Sequence, residues 1–232
     1  MSSRTSRAIS GSFTSLIQYA LIMVLQFLLV PLIISFSNQE TLGLYSYLLQ
    51  IIGWAALSDM GFGVAAGRYL AQSNDLNDNH QRFKIVFKNS RTFYLVSNII
   101  FSAIILLIAY KLEFLINDLD KHLLSDAKTG LYLFSIWGLV RTPFLLYGDA
   151  LIATQFMTKN NIAFAQGSIA RLLCSVVLVY LGFGIIGLIF GYILGEFLTF
   201  LFQKRAYNKL FPNDNFGWGI SDKKLFNEIF LF

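Results

Sequence analysis

The chain has 232 residues, of which 56% are hydrophobic and only 13% charged, with a mean hydropathy of +0.60. Soluble domains do not reach that balance, whereas polytopic membrane proteins do. A net charge of +5 would invite nucleic acid in a soluble protein, but here the basic residues sit in short segments beside apolar spans, where they set topology, so nucleic-acid binding is excluded.

Runs of about 20 apolar residues, the length a helix needs to cross the hydrocarbon core, predict six membrane helices at 12–36, 42–70, 91–110, 129–148, 160–181 and 184–203. The first follows Arg4 and Arg7, is too long for a signal-peptide core, and carries Gln18, Gln26 and Pro31. The second contains Asp59 on a strip with Ala55, Ala56, Gly63 and Ala66, which predicts a face turned to protein. Arg68 falls on the opposite side of a straight helix, cannot pair with Asp59, and reads as a topology anchor at the membrane edge. The stretch "NDNHQRFKIVFKNSR" reads as a basic amphipathic approach to the third helix, lying at an anionic membrane surface. Asn98 within that helix is a polar group of the kind that holds helices together.

Three further spans each carry an ionisable residue at membrane depth, where a charge costs about 2.5 to 3.5 kcal/mol on insertion scales and requires a partner or water. In the fourth, Arg141 shares a helical face with Trp137, Phe144 and Phe134, and Pro143 should bend the helix beside it. Such an aromatic stripe with one guanidinium could stack sugars and hold a phosphate bidentately; ordinary packing of the aromatics is the plainer alternative. In the fifth, Arg171 lies among Gly167, Ser168, Cys174 and Ser175, opposite Leu172, Val176 and Val179, which points it into a bundle or a wet cavity. In the sixth, Glu196 shares a face with Tyr192, Thr199 and Gln203 and follows Gly187, Gly191 and Gly195, a repeated G-x-x-x-G that admits a close helix neighbour. Glu196 needs a partner or a proton, so Arg171, Arg141 or a titratable coupling role is expected for it.

Thirteen of the Lys and Arg residues fall on one set of connections and three on the other, with Arg141 and Arg171 left inside. That bias predicts a cytoplasmic N-terminus. Residues 1–207 are thus read as one six-helix transmembrane lobe, 208–224 as a polar cytoplasmic linker, and 225–232 as the start of a truncated seventh helix. Cys174 sits alone in an apolar span and His80 and His122 lie in separate polar connections, so neither a disulfide framework nor a metal site is expected.

Pro31, "LGLYSY" at 42–47, "SDMGFG" at 58–63, Arg68, an arginine in the fifth helix and a glycine-rich sixth helix bearing Glu196 form an ordered set. It resembles the N-terminal half of the polysaccharide (O-antigen type) flippases, of the superfamily that also holds the lipid II flippases and the multidrug and toxin extruders. The resemblance implies an all-α polytopic membrane protein in which this chain is one lobe of a two-lobe transporter working by alternating access. It also implies a lipid-linked oligosaccharide on undecaprenyl diphosphate as cargo, for O-antigen or surface polysaccharide biosynthesis at the bacterial inner (plasma) membrane. Polysaccharide polymerase and other assembly proteins would be its partners. On this reading Arg141, Arg171, Trp137 and Phe144 meet the substrate, Asp59 and Glu196 moderate the cavity's positive charge or bind a coupling H+ or Na+, and no catalysis or cofactor is expected. The alternatives are a multidrug or cation antiporter of the same superfamily, a membrane-embedded glycan enzyme, and an inactive truncated remnant.

Overall fold

The computed structural model of the chain describes residues 4–55, 62–74, 81–116, 120–214, 216–220 and 222. Among these residues the structure is all-helical, with eight helices in the order α1 Arg4–Phe36, α2 Gln39–Ala55, α3 Phe62–Gln72, α4 Gln81–Leu115, α5 Lys121–Val140, α6 Leu146–Ala153, α7 Met157–Tyr180 and α8 Gly184–Leu210. Four helical stretches, Ile9–Phe36, Gln81–Leu115, Met157–Tyr180 and Gly184–Leu210, are long and apolar enough to cross a membrane. The protein is a membrane-embedded helical bundle. Its outer surface carries Phe13, Leu16, Phe27, Leu107, Leu173 and Val177, all exposed, as expected where lipid replaces water.

Within the predicted second span, α2 and α3 are described on either side of 56–61, which, with Asp59, lie outside the described residues. The fourth breaks after Val140, and residues 141–145 form turns before α6 begins. Pro143 has no N–H and its ring collides with the carbonyl four residues back. The backbone accordingly tightens there, with Thr142 N donating to Leu139 O (3.3 Å) and Phe144 N to Arg141 O (2.9 Å). Pro31, by contrast, lies within the unbroken α1.

The third span is longer than expected. Gln81–Arg91, read as a surface approach, forms the first turns of α4, and its apolar residues Phe83, Val86 and Phe87 are fully buried against the protein itself. The corresponding correction holds in α7, where Val179 is buried in the core with Leu172 and Val176 beside it, while Ile169, Leu173 and Val177 form the exposed side.

Helices α7 and α8 form the most extensive helix pair. Gly182 takes a positive φ of 87° in the short turn between them, a conformation a Cβ would oppose. Along the pair, a Cβ added to Gly195 would stand 2.5 Å from Arg171 Cβ and 2.7 Å from Gly167 O. The G-x-x-x-G repeat therefore receives α7, and the two backbones touch at the level of Arg171.

The basic segments converge at one end of the bundle. Arg7 lies 4.8 Å from the Phe156 ring centre, and Asn161 Nδ2 donates to Gly11 O, Thr14 Oγ1 and Ser15 Oγ, fastening α1 to the start of α7. At that same end the chain after α8 turns back. Phe216 is buried among Phe83, Phe87, Tyr147 and Tyr207. Part of the segment read as a linker is thus a strap seated on α4, α6 and α8; residues 223–232 lie outside the described residues. The opposite end carries Glu40, Asp120 and the ion pair between Lys128 Nζ and Glu113 Oε1 (2.5 Å).

Candidate functional site

Arg141 is the C-cap residue of α5, its backbone N–H bonded to Trp137 O and Leu139 O. Its backbone is still helical (φ −71°, ψ −21°), so the side chain continues the face of Trp137 and reaches both α4 and α8. Its Nε donates to Asn98 Oδ1 of α4 (3.2 Å), its Nη1 lies 3.4 Å from Glu196 Oε1 of α8, and its guanidinium carbon stands 4.7 Å from the Phe101 ring centre. Glu196 is held from its other oxygen, Oε2, which accepts from Trp137 Nε1. The side chains of Arg141 and Glu196 are 16% and 22% exposed, so the pair is largely but not wholly enclosed.

Arg171 reaches α8 from the other side. Its Nη2 donates to Tyr45 Oη of α2 (2.9 Å) and its guanidinium carbon stacks 4.2 Å from the Tyr192 ring centre. Tyr192 precedes Glu196 by one helical turn and lies in electrostatic range of Glu196, Arg171, Tyr45 and Arg141. Arg171, Tyr192, Glu196 and Arg141 therefore form one string across the face of α8. Arg171 also lines a cleft of about 30 Å³ between α1 and α7, with Gln26 and Ser168, which has room for a couple of waters.

Of the residues singled out in the sequence, Arg141, Trp137 and Glu196 come into direct contact, and Arg171 joins them through Tyr192. Trp137 also packs on Phe197 and Phe200. Phe144 packs edge-on against Phe197 (6.2 Å), below the Lys204 ammonium at 5.2 Å, and so turns toward the basic end. Tyr45, Asn98, Phe101 and Lys204 were not marked as site residues. Asn98 carried a signal, being a polar group in an apolar span; Tyr45 and Phe101 carried none, and Lys204 read as a loop cation because it follows the predicted end of its helix by one residue.

A guanidinium has five N–H donors. Arg141 engages one with Asn98 and one with Glu196, and Arg171 engages one with Tyr45, so most of both donor sets have no acceptor among the described residues. Arg141 faces a carboxylate that is itself shared with an indole, and Arg171 has no carboxylate partner among the described residues. The arrangement can accept a further anion with several oxygens. A cavity of about 640 Å³ beside Glu40, Tyr47 and Asp120 lies at the acidic end and away from this string.

Compared with known proteins, the chain matches no family model, no curated protein and no solved structure at a significant level.

Proposed function

We propose that the chain is one lobe of a transporter that carries an oligosaccharide on a polyprenyl diphosphate across the inner membrane of a bacterium, for surface polysaccharide synthesis. The observation that carries this reading is the surplus of guanidinium donors at the Arg141 and Arg171 string on α8. The costly step for such a cargo is taking its anionic head across hydrocarbon. Two arginines with open donors, set among Trp137, Phe101 and Tyr192, supply charge for the diphosphate and rings for the sugars. On this reading α2 with α3, and α5 with α6, make two further spans that complete six crossings, and the basic end faces the cytoplasm by the positive-inside bias. Coupling to H+ or Na+ and contact with a polymerase belong to the same proposal.

An antiporter for cationic cargo is less favoured, because Glu196, the carboxylate in the string, is already held by Arg141 and Trp137. The test is to replace Arg141 and Arg171 singly by Gln in cells that depend on this gene for surface glycan, with membrane insertion checked. Loss of surface polysaccharide with lipid-linked glycan held in the cytoplasmic leaflet supports the reading; normal surface polysaccharide in both variants overturns it.

A further inference from the structure

Glu196 is held unequally at its two oxygens. Its Oε2 accepts from the Trp137 indole N–H, whereas Oε1 meets Arg141 through a single nitrogen at 3.4 Å. Charge-assisted N–H to carboxylate contacts run at about 2.7 to 2.9 Å and with arginine are frequently bidentate. The contact between the two full charges is therefore the loosest in the cluster. Arg141 meanwhile is oriented independently of Glu196, by Asn98 on its Nε and by the Phe101 ring against its guanidinium. Removing Glu196 from Arg141 would leave the guanidinium aimed as it is, and would leave the carboxylate still attached to Trp137.

We infer that Glu196 is a resident stand-in anion, parked on Trp137, which occupies Arg141 until a more highly charged head group displaces it. The inference rests on the proposed anion site and names its specificity determinant. A lone carboxylate or a single phosphate group competes poorly with an anion already built into the wall. A diphosphate, with more charge and more acceptor oxygens, can engage several of the open donors of Arg141 at once and so outcompetes it. Glu196 then sets a charge threshold, and also refills the site when the head group departs, which lowers the tendency of two arginines to retain an anion.

The experiment uses the full chain in phosphatidylcholine nanodiscs, with inorganic pyrophosphate and inorganic phosphate as separate probes and calorimetric binding as the readout. In the unaltered protein pyrophosphate binds and phosphate binds far more weakly. Glu196→Gln removes the competing charge while keeping a group that can bond Trp137; both anions should bind more tightly, phosphate the more so, and the preference for pyrophosphate should fall about tenfold, the change expected on losing one partly enclosed charge partner. Glu196→Asp, which retains the charge but is too short to bridge Trp137 and Arg141, shifts the preference in the same direction by less, and covers the case in which Glu196→Gln fails to fold. A purely structural Glu196 would change the melting temperature and leave the ratio of the two affinities alone; that result, or weaker binding of both anions, overturns the inference. If Arg141→Gln abolishes pyrophosphate binding while Glu196→Gln leaves the preference unchanged, the anion site stands and the stand-in does not. If Arg141→Gln and Arg171→Gln both bind pyrophosphate normally, the site and the stand-in fall together. Nanodiscs doped with a polyprenyl diphosphate lipid separate the two sources of the ligand: reduced pyrophosphate binding in them assigns the site to a lipid head group, and undiminished binding assigns it to free diphosphate.

Discussion

Phe216 stacks on Phe87 at 3.7 Å between ring centres, with an interplanar angle of 13°, although the two rings belong to the strap and to the first turns of α4. The strap is fixed on either side of this stack. Lys84 Nζ lies 3.1 Å from Asp214 Oδ1, Asp214 Oδ2 accepts from Tyr207 Oη at 2.8 Å, and Arg91 donates to Phe216 O and stands 3.8 Å from the Trp218 ring centre. Replacing Phe216 by Ala removes the ring that Phe83, Phe87, Tyr147 and Tyr207 enclose. The expected loss is about 3 kcal/mol, the lower part of the range for emptying an aromatic core site. The measurement is limited trypsin digestion in detergent micelles. Cleavage at the exposed Lys209 should accelerate strongly in Phe216→Ala and only slightly in Trp218→Ala, whose ring is 45% exposed. Equal cleavage rates in Phe216→Ala and the unaltered chain would show that the strap is not seated.

Gly195 gives a second test, since the contact there is backbone on backbone. In Gly195→Ala the new methyl group meets Arg171 Cβ at 2.5 Å and Gly167 O at 2.7 Å, neither of which is the free end of a flexible side chain. Helices α7 and α8 must separate, at a cost of about 1 to 3 kcal/mol for overpacking. Arg171 moves with α7 and is drawn away from Tyr192. Both a lower melting temperature in detergent and weaker pyrophosphate binding are expected. By contrast, Gly43→Ala meets no atom within 4 Å of the added Cβ and should be silent in both measurements.

Asn98 distinguishes orientation from stability. Interhelical hydrogen bonds in membranes average only about 0.6 kcal/mol in double-mutant cycles, so Asn98→Ala should barely change the melting temperature. It removes the acceptor of Arg141 Nε, however, and leaves the guanidinium free to rotate on Phe101. A pyrophosphate affinity reduced several-fold at unchanged stability is the expected pattern; a fall in stability with unchanged affinity would make Asn98 a helix tether alone.

The membrane class and the apolar helices were legible because lipid imposes long apolar runs whatever their tertiary partners. The Gly187, Gly191 and Gly195 repeat announced a close helix contact, and its period sufficed for that, but it could not say that α7 is the neighbour. Glu196 visibly needed a partner. That the partner is Arg141 and not Arg171 depends on how α5 and α7 are set around α8, which is a matter of tertiary packing. Tyr45 and Phe101 could not be found at all, because an aromatic in an apolar span looks the same whether it faces an arginine or a lipid. The strap was missed for a related reason: its polar residues are those of a linker, and Phe216 matters only because four aromatics from three helices assemble around it.

Pro143 supplies the last prediction, because it interrupts the span two residues after Arg141. Proline in a helix interior costs about 3 kcal/mol, and the turns at 141–145 are the backbone's answer to that cost. In Pro143→Ala the missing N–H returns and α5 can run on toward α6. Arg141, whose φ of −71°, ψ of −21° and N–H bond to Trp137 O are already helical, should keep the face it shares with Trp137 and its hold on Glu196 and Asn98. Stability should be unchanged or slightly raised, and calorimetric pyrophosphate binding should stay close to that of the unaltered chain. Binding reduced to the level of Arg141→Gln would mean instead that the turns at 141–145 aim the guanidinium. The position of Arg141 would then be a property of the one residue that visibly interrupts the span and not of the packing of α5 on α4 and α8.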